Sequence, residues 1–220
     1  MMNQHAVLFD FDFTLADSTL GAVACVNYAL DEMALPRAEP EAIRATIGLG
    51  LAATLASLTG LTAPALANTF SRNFVKQADR SMVELTSVFP EVAQTIEQLK
   101  SAGIRAGIVS TKFRYRIERI LARDGLLDGF DIIVGGEDVA NHKPDPEGLL
   151  KALDKLGVRT NDSLYIGDHP VDAQAAAAAK IPFAAVLTGT AVRKDFEPWP
   201  ARMFLDSLRD LMPLLNLDRR

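Results

Sequence analysis

Cysteine is almost absent from this 220-residue chain, and its single cysteine, Cys25, has no partner for a disulfide within the chain. A fold that depends on internal disulfides is therefore excluded, and nothing points to an oxidising compartment. Cys25 lies in the apolar helical segment 22–26, where a buried structural thiol is the expected role.

Positive charge is also scarce, because 23 Lys and Arg residues face 28 Asp and Glu residues and the formal net charge is -5. No basic stripe is visible, so binding to nucleic acid or to an anionic membrane surface is not expected. No segment approaches the ~18 uninterrupted apolar residues of a transmembrane helix. Residues 1–5 lack the basic and apolar regions of a signal peptide, which favours a cytoplasmic protein.

What the chain does have is an alternation of short apolar strands with helices of about ten residues. Apolar residues make up 49% of the sequence, which is enough for a full core. The predicted strands are residues 6–9, 104–109, 132–134, 163–166, 182–187 and 202–205. Such alternation predicts an α/β fold, with a parallel sheet and right-handed crossover connections.

One segment, residues 17–86, interrupts the alternation because its pattern is purely helical. It holds a helix that ends near residue 34 and three further candidates at residues 39–47, 51–58 and 63–83. The chain is therefore predicted to consist of an α/β core, residues 1–16 and 87–220, that opens after its first strand to admit a small helical unit.

Polar side chains follow the predicted strands at their carboxyl ends, which is where open parallel sheets bind ligands. Asp10 and Asp12 follow the first strand, and their spacing places both carboxylates on one side. Two close carboxylates repel unless a cation or a proton separates them, and Mg²⁺ favours such oxygen ligands. The pattern alone is only suggestive, because a capped turn after a buried strand explains it as well.

The later strand ends add hydroxyls, a lysine and further carboxylates: Ser110, Thr111, Lys143, Asp168 and Asp172. Each also has an ordinary explanation, such as a helix cap at Ser110, a solvated loop lysine at Lys143 or a dipole contact at Asp172. Their expected convergence at one edge of the sheet favours a metal and phosphate site.

These four segments, in this order, resemble the motifs of the haloacid dehalogenase superfamily. The first motif is matched by Asp10-Phe11-Asp12-Phe13-Thr14-Leu15, the second by Ser110 in Val109-Ser110-Thr111-Lys112, the third by Lys143 in Lys143-Pro144-Asp145-Pro146-Glu147, and the fourth by Gly167-Asp168 with Asp172. The segment 17–86 resembles the small α-helical cap of the phosphoglycolate phosphatase-like branch. The resemblance implies a three-layer Rossmann-like core with a parallel sheet, plus that cap inserted after the first strand.

The resemblance further implies a Mg²⁺-dependent phosphatase that hydrolyses a small phosphorylated metabolite, such as a phosphoglycolate-like monoester. Asp10 would be the nucleophile that forms an aspartyl-phosphate, and Asp12 would be the general acid and base. A carboxylate oxygen of Asp10, the backbone carbonyl of Asp12 and the carboxylate of Asp168 would hold the metal.

The same resemblance assigns the remaining polar residues. Ser110 and Lys143 would hold the phosphoryl oxygens, where charge accumulates in the transition state. Asp172 would orient Lys143 or a metal-bound water.

Phe13 departs from the family pattern, which most often has glycine at this position. An aromatic side chain there would point towards the cap or the following helix and narrow the access of substrate to the site. Phe13, with Thr14 and Thr111, is therefore a candidate for controlling substrate access.

Several alternatives share these motifs. A β-phosphoglucomutase-type phosphotransferase, an inorganic pyrophosphatase and a catalytically silent binding protein remain open. Dehalogenation is disfavoured because a halide leaving group needs no acid, and Asp12 is present. Phosphonate hydrolysis would need a cap lysine, and Lys76 lies on a polar helix face. The expected partner is a small phosphorylated substrate, and the chain is a monomer or a homodimer.

Overall fold

The computed structural model describes residues 4–199 and 201–215, and its centre is a sheet of six parallel strands. Numbered along the chain, the strands are β1 (Ala6–Phe9), β2 (Ala16–Asp17), β3 (Ser87–Val88), β4 (Arg105–Val109), β5 (Ile132–Val134), β6 (Ser163–Gly167), β7 (Phe183–Val186) and β8 (Met203–Leu205). The large sheet has the order β5-β4-β1-β6-β7-β8, and β2 pairs separately with β3.

Strand β1 lies between β4 and β6, so the chain's first strand has neighbours on both sides. Phe9, its last residue, is in register with Ile108 of β4 and Ile166 of β6. All four of its residues are fully buried. This explains why the strand has no polar face, and it places the next residue, Asp10, at the middle of the sheet's carboxyl edge.

Helices connect the strands and cover the sheet. They are α1 (Thr19–Glu32), α2 (Pro40–Arg44), α3 (Leu51–Thr59), α4 (Pro64–Ser81), α5 (Val92–Ser101), α6 (Arg114–Arg123), α7 (Glu147–Leu156), α8 (Pro170–Ala179) and α9 (Leu211–Leu214). α7 and α8 pack on the sheet and on each other, whereas α5 packs on β4 and on α9. The predicted α/β fold with a parallel sheet flanked by helices is confirmed.

Helix α7 shows why these segments bury one face. Leu149, Ala152, Leu153 and Leu156 recur at helical spacing and are all buried in the core against the sheet. The helix ends at Gly157, whose φ of +62° is the left-handed conformation that favours glycine at a helix C-terminus.

The described chain divides into two compact units, Asp17–Ser87 and the remainder. Within the first, α1 packs along α4, and α3 also packs on α4. Its own core is formed by buried apolar residues that include Leu30, Ile43, Leu55 and Phe70. The unit holds the four helices α1–α4, and its role as a cap stays a prediction.

Two predicted helices are longer than the structure has them. The segment 39–47 forms a helix only over Pro40–Arg44, and the Thr46 hydroxyl then donates to the Ile43 carbonyl in a turn. The segment 63–83 forms the slightly shorter α4. Backbone hydrogen bonds continue into turns after both helices, and apolar residues continue with them, so apolar periodicity marks these termini poorly.

No helix within residues 4–199 and 201–215 has both the length and the apolar character needed to cross a membrane.

Candidate active site

Asp10 follows β1 directly and is buried, with 2% of its surface exposed. Its backbone N–H donates to the Ile166 carbonyl at 2.8 Å, so the residue still belongs to the sheet's edge. A tight turn follows, in which the N–H groups of Leu15 and Ala16 both donate to the Phe11 carbonyl. The sheet therefore holds the Asp10 backbone, and the six residues 11–16 form the turn by which the chain leaves the sheet.

Phe13 occupies the one position of this turn with a left-handed backbone, at φ +58°. That conformation is strained for a residue with a Cβ and is usual for glycine. Its backbone N–H donates to the Ala16 carbonyl, and its carbonyl accepts from the Thr188 hydroxyl. The phenyl ring is buried. The resemblance marked Phe13 as a departure, and the backbone conformation supplies the physical reason for glycine there. Its influence on substrate access stays a prediction.

Three buried carboxylates converge at the carboxyl edge of the sheet. Asp10, Asp168 and Asp172 each place one carboxylate oxygen within 4.8 Å of the others. Asp168 follows β6, and Asp172 lies in the first turn of α8, whose start brings it back over the strand. The structure thus unites two of the three predicted metal ligands, Asp10 and Asp168, and adds the carboxylate of Asp172.

Lys143 supplies the positive charge of this cluster. Its Nζ lies 3.0 Å from Asp10 Oδ1 and 2.5 Å from Asp172 Oδ1, and all three side chains are buried. The Tyr165 hydroxyl lies 3.1 Å from Lys143 Nζ and 3.1 Å from Asp172 Oδ1. Asp172 therefore contacts Lys143 directly, which is one of the two roles that the resemblance implied.

The pKa values of these groups follow from burial and from their mutual charges. Burial raises the pKa of Asp10 to about 6; Lys143 opposes the rise, while Asp172 and Asp12 add to it. Burial, with the charges of Asp172 and Asp10, also raises the pKa of Asp168 well above its usual value. Burial opposes the charged form of Lys143, yet Asp10 and Asp172 raise its pKa above that of a free lysine.

The cluster is short of positive charge. Three buried carboxylates share one ammonium group, which contacts Asp10 and Asp172, so two negative charges have no counter-charge within the cluster when all three are ionised. Burying unpaired charge is costly, and a divalent cation with oxygen ligands would compensate both charges. The donor set therefore fits Mg²⁺.

Asp12 is not part of this carboxylate group. Its Oδ1 lies 2.9 Å from the Nζ of Lys112, and both side chains are nearly buried, at 11% and 7% exposure. The Lys112 ammonium also lies over the Phe11 ring, 5.8 Å from its centroid. The two aspartates of the first motif are thus paired with two different lysines.

The turn after β4 carries Ser110, Thr111 and Lys112. The Ser110 hydroxyl is buried and accepts from the backbone N–H of Lys112 at 3.3 Å. The Lys112 carbonyl accepts from the Gly136 N–H at 3.1 Å. A small pocket is lined by residues from this turn and from the loop before α7, including Ser110, Thr111, His142 and Lys143. Ser110 and Lys143 both line this pocket, and their role in holding phosphoryl oxygens stays a prediction.

The position of Asp168 is set from two sides. The Thr14 hydroxyl donates to Asp168 Oδ1 at 3.3 Å, so this predicted access residue contacts a carboxylate of the site. On the other side, a Cβ on Gly189 would collide with Asp168 Oδ2. Only glycine lets the backbone after β7 approach so closely.

Sequence reasoning missed Lys112, Tyr165 and Gly189. Lys112 stood inside the quoted second motif, so its charge was a signal, but its partner depends on the shape of the turn. Tyr165 has the sequence signature of a core aromatic, and Gly189 has no signature beyond its residue type.

Comparison with known proteins agrees with this picture. The family model for haloacid dehalogenase-like hydrolases matches residues 7–186. A phosphoglycolate phosphatase of Salmonella typhi is 31% identical over 99% of this chain and 94% of that protein. One of Xanthomonas campestris pv. campestris is 34% identical over 84% of each chain.

Solved structures agree as well. The structure of a haloacid dehalogenase-like hydrolase from Bacteroides fragilis superposes with a TM-score of 0.92 at 42% identity, covering 95% of this chain and 100% of that one. The predicted enzyme class, a phosphoric monoester hydrolase, is thereby confirmed. The matches span the whole set of strand-end residues, and they show that the chain belongs to the haloacid dehalogenase-like hydrolase family, in its phosphoglycolate phosphatase-like branch.

Proposed function

We propose that the protein is a Mg²⁺-dependent phosphatase that hydrolyses a small phosphorylated metabolite through an aspartyl-phosphate at Asp10. The observation that carries this proposal is the buried group of Asp10, Asp168 and Asp172 around Lys143, with two carboxylate charges uncompensated. Such a group favours the binding of a divalent cation, because the cation compensates the buried negative charge.

Asp10 is the proposed nucleophile. A carboxylate attacks phosphorus from a fixed position, and the sheet fixes Asp10 through its own N–H and through its place after β1. Bound Mg²⁺, held by Asp10, Asp168 and the Asp12 carbonyl, would neutralise the repulsion between this anionic nucleophile and the anionic phosphate.

Two other residues are proposed to hold the phosphoryl oxygens. Lys143 and Ser110 line the same pocket, and the lysine brings the positive charge while the serine brings a hydroxyl group. Asp172 and Tyr165 hold the lysine from behind, which keeps its charge in place as negative charge moves onto the phosphoryl group.

Asp12 is proposed to transfer protons. It protonates the leaving oxygen as the aspartyl-phosphate forms, then takes a proton from the water that hydrolyses it. Its carboxylate pairs with Lys112 and stands outside the metal group, which leaves it available for this task.

The proposed substrate is phosphoglycolate or a similar small monoester, because the curated relatives named above are phosphoglycolate phosphatases. The unit Asp17–Ser87 is the proposed cap that selects it. The acidic composition supports a small-molecule partner in place of nucleic acid or membrane. The protein is proposed to be a monomer or a homodimer in the cytoplasm.

The test is hydrolysis of p-nitrophenyl phosphate and of a panel that includes phosphoglycolate, pyrophosphate and sugar phosphates, with Mg²⁺ and with EDTA. We expect turnover that requires the metal, with phosphoglycolate among the best substrates. Acid-quenched protein should carry a labile acyl phosphate, and Asp10→Asn should abolish both the label and the turnover. Turnover that survives Asp10→Asn would rule out the proposed intermediate.

A further inference from the structure

Lys112 is a charged residue of the site to which neither the motif resemblance nor the proposed reaction assigns a role of its own. Its Nζ lies 2.9 Å from Asp12 Oδ1, and only 7% of its side chain is exposed. A lysine kept this far from water costs desolvation and side-chain entropy, which a solvated surface lysine avoids. Its placement therefore needs a reason beyond solubility.

The backbone around Lys112 is held on both sides. Its N–H donates to the Ser110 hydroxyl and its carbonyl accepts from the Gly136 N–H. Gly136 is close-packed here, because a Cβ on it would collide with the Thr111 carbonyl oxygen. The ammonium group is thus delivered to Asp12 from a fixed turn.

The charges of the neighbouring groups show what this contact does. Asp12 is close enough to Asp10 that its charge adds to the rise in the Asp10 pKa. Lys143 is engaged by Asp10 and Asp172. Repulsion from Asp10 and attraction to a bound cation would both move the Asp12 carboxylate, and the Lys112 ion pair holds it against these forces.

We propose that Lys112 is a positioning residue for Asp12, which keeps its carboxyl group out of the metal cluster and aimed at the leaving oxygen. This inference rests on the proposed function, in which Asp12 is the proton donor. As the bond from Asp10 to phosphorus forms and the bond from phosphorus to the leaving oxygen breaks, the Asp12 proton passes to that oxygen. The alcohol leaves neutral, and Asp12 becomes the carboxylate that Lys112 pairs with.

The test exploits the leaving group, because an alkoxide must be protonated to leave whereas p-nitrophenolate is stable as an anion. kcat/KM is measured for propyl phosphate and p-nitrophenyl phosphate, neither of which carries a second anionic group. It reports phosphorylation of Asp10, before the shared hydrolysis step. Lys112→Met should lower kcat/KM for propyl phosphate at least tenfold more than for p-nitrophenyl phosphate, within the ~10²–10⁴-fold range of general acid catalysis.

Matched variants separate this role from a structural one. Lys112→Arg retains the cation and should recover most of the propyl phosphate activity. Lys155→Met removes an exposed lysine of α7 and should leave kcat/KM unchanged for both substrates. If Lys112→Met does not fold, Lys112→Gln takes its place in the same comparison.

Asp12→Asn is the benchmark and should show the same selective loss, only larger. An equal loss on both substrates in the Lys112 variant, or no loss on either, would overturn the positioning role while Asp12→Asn still showed selectivity. If Asp12→Asn itself showed no selectivity, the acid role in the proposed function would fail first, and the inference with it.

Discussion

The two lysines of the site have different neighbourhoods. Lys143 is surrounded by two buried aspartates and the Tyr165 hydroxyl, all fixed by β1, β6 and α8. Lys112 contacts one aspartate and one aromatic ring, and it sits on a turn. The difference separates two tasks at one sheet edge. In the proposed reaction, Lys143 and its two aspartates would bind the metal and the phosphate, whereas Lys112 would hold the Asp12 carboxylate in place for proton transfer.

The largest expected effect comes from removing either cation. Lys143→Met leaves two buried carboxylates without their ammonium, and we expect a loss of about 3–5 kcal/mol in the free energy of unfolding in EDTA. Lys112→Met breaks one contact to a charged group, so about 1.5–3 kcal/mol is expected. Urea denaturation of both variants measures the two losses.

Added Mg²⁺ should sharpen the contrast. A divalent cation compensates the charges that Lys143→Met leaves behind, so Mg²⁺ should stabilise this variant more than the wild-type protein, and Lys112→Met no more than wild type. Equal stabilisation of all three proteins would contradict the division of tasks.

A smaller effect is expected at the close approach of Gly189 to Asp168. Gly189→Ala must displace the carboxylate, and we expect Mg²⁺ affinity to fall by about 10–100-fold, the range seen when metal ligands lose their support. Isothermal titration calorimetry measures the change. Gly50→Ala is the control, because a Cβ at Gly50 meets nothing within 4 Å. Unchanged affinity in Gly189→Ala would mean that Asp168 does not hold the metal.

The smallest effect concerns the turn that carries Asp12. Because Phe13 has φ +58°, Phe13→Gly should be more stable than Phe13→Ala by about 1 kcal/mol, although both lose the buried ring. Glu97 is an exposed position of α5, and there Glu97→Ala should be more stable than Glu97→Gly by about 1 kcal/mol. Thermal unfolding of the four variants measures both differences. If the alanine variant were the more stable one at both positions, Phe13 would not have a left-handed backbone.

Much of the fold and part of the site follow from sequence pattern, because apolar runs mark strands and the polar residues after them lie at one edge. Asp10, Lys143 and Asp168 are found together for that reason, and Ser110 lines a pocket with Lys143. Which carboxylates share a cation is set by distances of a few ångströms, and spacing does not encode them. Asp172 was expected to support Lys143, yet its carboxylate also joins the cluster, whereas the Asp12 carboxylate does not.

The central position of β1 has a consequence for how the protein is made. Strand β1 leaves the ribosome well before its partners, because β4 and β6 lie about a hundred and a hundred and sixty residues later in the chain. Until residue 167 has been synthesised, β1 has at most one neighbouring strand. Its other edge and its apolar faces are therefore exposed to wrong pairing during synthesis. Asp10 is therefore translated early, but the carboxylate cluster that it belongs to is complete only after Asp172. A chain that stops before residue 168 contains Asp10 but neither Asp168 nor Asp172, so the carboxylate cluster cannot form in it.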